Sequence, residues 1–531
     1  MITLSPEIRQ QSLIAGLLAF LLFMAGVHGQ APIGFDSRFV LFAQEMLRHG
    51  PTMFPTTYGQ PYADYSAVST LFIWLLSLPF GAVNAFTAWA PSAFAGALIV
   101  TLMYRLLAPY SRRWALISIA LLMLTSGFVT EVRAVSQDLM LAAVAFAVFY
   151  LGYAHDHFAG KRHWLLIFAL LLLGFGIRGP IGLVVPTGML CSYYLLNREW
   201  TRLLVFGVLA SLLLAACVGL LLWLAQVSGG AVFLQDVIRM QFMGRMDGSE
   251  GVSGSLYYFT SSLGNYALAY PLALLVLAAT WLSRTQQRGP ALRLVQYCAA
   301  AGLIVMVGLS IPQAKKARYL LPMLPMAAII AAYPFQVAHG RVFHWLRGLI
   351  MGLWLVTPGL LLVVLLIARR RFPEQLGEVS IVLIALGVLQ LLALSRLLIR
   401  GWRTEVLALS AVLALWTVYS AVFEPVERRL YDTRTFSRAV FAQVQQNPAP
   451  LVLHGMGKDA KAIKFMVNIG QDLQPQFSDS IQQLETIKGP VWLMMDRSDL
   501  PSLKGTPLES AQPVLNGRFD KNDYVLLWLK P

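Results

Sequence analysis

The sequence predicts an α-helical polytopic membrane protein that ends in a small soluble α/β domain, and three observations carry that prediction. Of the 531 residues, 57% are hydrophobic and only 13% are charged, with a mean hydropathy of +0.64, far more apolar than a soluble domain of this length requires. Apolar runs of spanning length recur from Leu13 to Phe423. From Glu424 onward no run is long enough to span, and 13 basic residues meet 12 acidic ones there, so nearly all of the net charge of +15 belongs to the membrane part. The basic residues sit in short clusters between apolar runs. That pattern suits anionic lipid headgroups and excludes a nucleic-acid stripe. Cys191, Cys217 and Cys298 all lie inside apolar runs, which leaves neither a disulfide framework nor a cysteine metal site.

The first span runs from about Leu13 to Val27 and lacks a small-residue cleavage site, so it reads as an uncleaved helix with a cytoplasmic N-terminus. A long polar-containing stretch follows, GFDSRFVLFAQEMLRHGPTMFPTTYGQPYADY, bounded by Asp36 and Asp64. Within it Phe39, Phe42, Ala43 and Met46 recur at helical spacing against Arg38, Gln44, Glu45 and Arg48, the pattern of a helix lying in the membrane interface. Val68 to Phe80 is too short to span about 30 Å of hydrocarbon and reads as a second interfacial or re-entrant helix. The remaining spans are predicted at 89–104, 114–130, 138–153, 164–177, 181–196, 203–227, 258–281, 294–310, 319–335, 345–367, 379–398 and 406–423, about thirteen with the first.

The positive-inside rule orients this threading. Arg112-Arg113, Lys161-Arg162, Arg198 with Arg202, Arg284 with Arg288, Arg341 with Arg347, and Arg400 with Arg403 fall on the N-terminal side. Lys315-Lys316-Arg318 and Arg369-Arg370-Arg371 fall on the far side against the rule, and the first of these clusters invites a functional explanation. With an odd number of spans, the region 424–531 sits on the far face beside the Asp36 loop. Its short apolar strands, among them Leu451–Leu453, Val491–Met495 and Tyr524–Leu529, alternate with helical stretches. The chain thus divides into a transmembrane domain, 1–423, and an α/β domain, 424–531.

The far face gathers Asp36, Glu45, Asp64, Glu131, Arg133 and Asp138, then Arg178, Asp236, Arg239, Arg245, Lys315, Lys316 and Arg318. Acids ringed by arginines and lysines suit chemistry on a phosphate-linked donor: cations hold the phosphate, and an acid takes a proton or orients a nucleophile. For any one of these charges alone, the plainer role is a solvated interfacial anchor. Asp138 opens a span directly, so its rival role is a helix N-cap. The stretch 233–243 reads either as an interfacial connector or as a gate over a donor cavity.

Four stretches carry a family resemblance. GFDSRFVLFAQEMLRHG resembles a first-loop pattern of an acid followed by an Ala-x-Glu-Met helix and an extended segment ending in Gly-x-x-Tyr. SQDLMLAAVAF resembles a second acidic motif at the head of a later helix. GFGIRGPIGLVVP resembles a Lys-Gly-Pro turn with Arg178 in place of the lysine, and SIPQAKKARYLLPMLPMAAII carries Ser310, Lys315, Tyr319, Pro322 and Pro325 at the matching spacing. In order and spacing the chain resembles the GT-C membrane glycosyltransferases related to protein O-mannosyltransferases, and most closely the branch of the bacterial aminoarabinose transferase. The resemblance covers residues 1 to about 340, and the trailing α/β domain by architecture.

The resemblance implies a GT-C fold and inverting transfer of a sugar from a polyprenyl-phosphate donor to a lipid or glycan acceptor, such as lipid A, at the periplasmic face of a bacterial inner membrane. Asp36 takes the place of the family's catalytic acid, either as base for an acceptor hydroxyl or as an orienting group where the acceptor is itself a phosphate, and Asp138 that of its second acid. Arg178, Lys315 and Lys316 hold the donor phosphate, with Arg38, Asp64, Arg133, Arg239, Arg245, Arg318 and Tyr319 as further substrate-binding positions. Two departures bear on cofactors. Where relatives carry Glu-Lys-Pro, this chain reads Ala63-Asp64-Tyr65-Ser66, and 233–255 holds no histidine. A divalent metal at Asp64 is left with a single carboxylate to support it, so a metal-independent site is expected. Two other classes remain open: a polyprenyl-lipid flippase or transporter, against which the absence of an internal repeat counts, and a non-catalytic lipid-binding scaffold.

Overall fold

The computed structural model describes residues 5–158, 163–248, 251–282, 289–337, 340–395, 403–485, 489–506, 508–509, 511 and 513–529. Lys161-Arg162, Arg284, Arg288, Arg400 and the end of the span predicted at 379–398 lie outside the described residues.

Every predicted span is helical. Eight helices are long and apolar enough to cross a membrane, and up to ten if two bent pairs, Arg112–Met123 with Ser126–Val132 and Tyr257–Asn265 with Ala269–Leu282, each count as one. Trp164–Arg178, Pro180–Leu196 and Ser380–Leu394 have 15, 17 and 15 residues. They fall short of the roughly 20 residues that cross unaided. The long helix Trp200–Ile238 runs past its predicted end, breaks at Gly230 (φ 70°, ψ −164°) and continues through a π-turn, Arg239–Met243. The last helix likewise continues beyond Phe423 through Glu424–Leu430, so the helical part reaches past the boundary expected at 424.

The helix Gln137–His157 sets the scale of the bundle. Asp138 lies at one end, and Asp156 at the other accepts from Arg202 and Tyr193. About 1.5 Å of rise per residue puts roughly 27 Å between those ends. Arg112 and Arg113 meet Glu7 and Glu405 elsewhere in the bundle.

Beyond the Asp138 end lies a five-stranded mixed sheet of order β4-β3-β5-β7-β6, formed by β3 (Leu451–His454), β4 (Gln476–Ser478), β5 (Val491–Asp496), β6 (Pro513–Phe519) and β7 (Asn522–Leu529). A two-stranded ribbon, β1 (Thr56–Thr57) and β2 (Gln60–Pro61), precedes it in the first loop. The ribbon turns through Tyr58 (φ 56°) and Gly59 (φ 72°), and the buried carboxylate of Glu45 accepts the Tyr58 amide at 2.8 Å.

The helix Ser37–His49 does not lie against lipid as its amphipathic pattern predicts. Phe39, Val40, Leu41, Phe42, Ala43 and Met46 are all buried, the first five in one apolar cluster with Phe465, Met466 and Ile469 of the sheet domain. Gln44 donates to the Val467 carbonyl at 3.2 Å, Arg48 to the Asp472 carboxylate at 2.9 Å, and Arg38 to the Asp459 carbonyl at 2.7 Å. An amphipathic stripe records that a face is covered, not what covers it.

Candidate active site

The first loop presents Asp36 at the start of the helix Ser37–His49. Its Oδ1 accepts the Gly34 amide at 2.9 Å. Burial pushes the carboxyl up to about 6 against the opposing pull of the Gly34, Asp36 and Ser37 amides and of Lys464. Asp36 faces a cavity of about 290 Å³ whose walls also include Glu131, Asp138, Arg318 and Glu427.

Asp138 stands in the first turn of its helix. The cap is Ser136, whose hydroxyl accepts the Leu139 amide at 3.3 Å, which corrects the N-cap alternative for Asp138. Instead both Asp138 oxygens are taken by arginines: Arg178 Nε at 3.1 Å from Oδ1 and Arg318 Nε at 3.0 Å from Oδ2. The Gly-x-Gly-x-Arg-Gly-Pro-x-Gly stretch explains how Arg178 gets there. Gly179 adopts φ 63°, ψ −147° to end one helix, and Pro180 begins the next. The two helices pack so closely that a Cβ on Gly182 would fall 1.8 Å from the Gly174 carbonyl oxygen. Arg178 therefore projects from the apex of a tight helical hairpin.

A second acid lies behind this pair. Asp64 is 2.9 Å from Arg245 and 4.0 Å from Arg38. Aromatic rings fill the spaces: the Arg178 guanidinium lies 4.9 Å from the Tyr319 ring centre and 5.6 Å from that of Tyr65, Arg318 lies 3.9 Å from Phe35, and Arg38 lies 5.3 Å from both Phe35 and Tyr62. Such stacking holds a guanidinium in place without consuming its donors. Four guanidinium groups thus meet two carboxylates, Asp64 and Asp138, by direct pairing. Arg178 Nη2, Arg318 Nη2, Arg318 Nε and Arg245 Nε are buried and make no hydrogen bond, Arg318 Nε meeting Asp138 as an ion pair only. Buried donors are ordinarily satisfied, and an anionic oxygen would satisfy these. As a metal ligand Asp64 does not fit, because both its neighbours are cations. Among the described residues no group of three His, Cys, Asp or Glu is placed to hold a metal.

Several expected substrate positions are not part of this paired cluster. Arg133 also lines the Asp36 cavity, but its side chain, 1% exposed, makes a two-pronged bond to Glu424 at 2.7 and 2.6 Å and donates to the Phe23 and Ala25 carbonyls at 2.6 and 2.9 Å. Arg239 is exposed and pairs with its own neighbour Asp236 at 3.3 Å. Lys315 donates to the Ser253 carbonyl at 3.1 Å, and Lys316 is exposed. Sequence reasoning overlooked Gln137, whose Oε1 accepts from Arg178 at 3.3 Å, and gave no role to Glu131, which accepts the Ser136 hydroxyl. Both flank Asp138 closely in sequence, the one signal that could have found them. The region 233–246 is bound to the first loop, with Gln241 donating to the Ala63 carbonyl at 2.8 Å alongside the Arg245–Asp64 pair.

This architecture is the GT-C membrane glycosyltransferase fold. ArnT from Cupriavidus metallidurans superposes in its apo state with a TM-score of 0.69, covering 98% of each chain at 17% identity. The same protein bound to undecaprenyl phosphate superposes with a TM-score of 0.67, covering 98% of this chain and 97% of that one, again at 17% identity. Residues 30–227 match the family described as dolichyl-phosphate-mannose-protein mannosyltransferase. Among curated proteins no sequence matches the chain. The chain shares its fold with ArnT over nearly its whole length, and its first half is similar to the protein mannosyltransferase family.

Proposed function

We propose that this chain is an inverting glycosyltransferase that moves a sugar from a polyprenyl-phosphate donor to an acceptor hydroxyl at the periplasmic face of a bacterial inner membrane. The observation that carries this reading is the chamber itself. A carboxylate poised near neutrality, Asp36, shares it with Arg318 and with Asp138, which ties Arg318 to Arg178.

In the reaction the acceptor oxygen attacks the anomeric carbon from the face opposite the donor phosphate. Its proton passes to the Asp36 carboxylate, the carbon–oxygen bond to phosphate breaks, and the phosphate leaves carrying the additional negative charge. Arg178 and Arg318 receive that charge through the donors that now lack acceptors, in a buried setting where such pairing is strong. Asp138 does not touch the reacting atoms. It fixes the two guanidinium groups and offsets part of their mutual repulsion, which makes it a positioning residue.

The test is mass spectrometry of envelope lipids, glycans and proteins from cells with the wild-type chain, without it, and with Asp36→Asn. Loss of the same pentose- or hexose-sized mass from one acceptor in both altered strains is expected, and it identifies sugar and acceptor together. An Asp36→Asn strain that matches wild type while the deletion strain does not would overturn the catalytic role of Asp36.

A further inference from the structure

The segment His28–Ile33, between the first helix and Asp36, is hollow on three sides. On one side is the Asp36 chamber, which Gln30, Ala31 and Ile33 help to line. On another is a cavity of about 690 Å³ reaching Arg434 and Arg438. The third is an open hollow of about 450 Å³ walled by Arg428, Arg429 and Arg434. The hollows share walls: Gln30 and Trp89 belong to the first and second, Ala31, Ile33 and Arg428 to the first and third, Gly29 and Arg434 to the second and third. A ligand in the outer two therefore lies against the same short segment that borders the acid.

Several arginines around these hollows form no ion pair among the described residues, and Glu427 is a further carboxylate in the chamber wall. Glu424 is consumed by Arg133. Asp432 turns its carboxylate to the amides of Arg434 and Thr435 and to the Thr435 hydroxyl. Among the described residues no carboxylate pairs with Arg428, Arg434 or Arg438. Arg434 and Arg438 stand one turn apart on the helix Arg434–Gln446 and are exposed. Like charges at that spacing disfavour a helix, so the arrangement gives up a little stability for a cationic face. Arg428 packs over Gly29, where a Cβ would come within 2.5 Å of its Nη1. Arg318 and Asp138 border the chamber from the other direction, with Arg178 paired to that Asp138 and Arg245 with Asp64 lying behind in a separate small pocket.

We infer that Arg428, Arg434 and Arg438 form the acceptor-docking site, which binds an acceptor bearing a phosphate or similar anionic group while its hydroxyl reaches Asp36. This rests on the transferase reading, and it adds that the acceptor is anionic and enters at the seam between the last membrane helix and the sheet domain. Two arginine sets then divide the work across Asp36, one for the leaving phosphate and one for the incoming molecule.

The test uses the full chain in neutral phosphatidylcholine nanodiscs and three probes: undecaprenyl phosphate, soluble glucosamine 1-phosphate, and dihexanoyl phosphatidic acid as a lipid-borne phosphomonoester. Arg428→Gln/Arg434→Gln/Arg438→Gln is expected to weaken one or both of the last two by about tenfold or more, a loss of about 1.4 kcal/mol, with undecaprenyl phosphate binding unchanged. Arg178→Gln is expected to show the reverse pattern. Gly29→Ala, which displaces Arg428 without removing charge, should weaken the same probes as the triple variant. A preference for the lipid-borne probe would assign a membrane acceptor, and equal binding a soluble glycan; either supports the site. Unchanged binding of both probes in the triple variant overturns it, as does an effect confined to nanodiscs loaded with phosphatidylglycerol, which would mark plain membrane adhesion. Failure of the transferase reading shows separately, as loss of undecaprenyl phosphate binding to the wild-type chain.

Discussion

Arg133 and Arg178 are both buried arginines bonded to a buried carboxylate at the same end of the bundle, and their donors distinguish them. Arg133 spends its guanidinium on Glu424 and two carbonyls. Arg178 shares Asp138 with Arg318, leans on two aromatic rings and keeps Nη2 without a partner. A saturated pair joins two parts of a fold, and an under-supplied one awaits a ligand. Burial and charge alone do not separate them.

The largest effect that would break this contrast is on stability. Glu424→Gln should cost about 3–5 kcal/mol, because it strands the Arg133 charge in the interior. Thermal unfolding in detergent reads this loss, with activity per folded molecule kept. Retention of full stability would show the pair to be dispensable. Arg178→Gln should do the opposite, lowering kcat by about 10²–10³ with the melting temperature held. A loss of folded protein equal to that of Glu424→Gln would erase the distinction.

The pH profile sharpens the comparison from the side of the base. With Asp36 as the proposed base, kcat/KM should fall about tenfold per pH unit below about 6 and level off above it. A flat profile from pH 5 to 8 would remove Asp36 as the base. The smallest effect belongs to Arg239. Its exposed pair with Asp236 contributes little, and Arg239→Ala should change stability by less than about 0.5 kcal/mol and leave turnover alone.

The contrast also marks where sequence reading stops. Because hydropathy is a local property, apolar run length located the spans of the bundle among the described residues, though not where the helices Trp200–Ile238 and Arg403–Val418 continue past them. Which short helices cross a membrane unaided was not legible, since Trp164–Arg178 and Pro180–Leu196 differ from true spans by only a few residues. Asp36, Asp138, Arg178 and Arg318 were legible as a group because they recur at helix ends on one side. Arg133 fitted the same description, and its partner Glu424 lies 291 residues away, beyond any local signal. The helix Ser37–His49 failed for the same reason, its apolar face being covered by a domain at the other end of the chain.

That last arrangement has a consequence for how the protein is made. The bonds that brace the helix behind Asp36 join residues 421, 423 and 424 positions apart. A ribosome adding about 5–20 residues per second delivers the acid early and its brace some 20–85 seconds later. Through that interval the nascent chain already has most of its membrane helices, but its reactive loop is unclamped. The helix behind the acid is therefore braced only late in synthesis, and a premature stop before Asp459 yields a chain whose acid is unbraced.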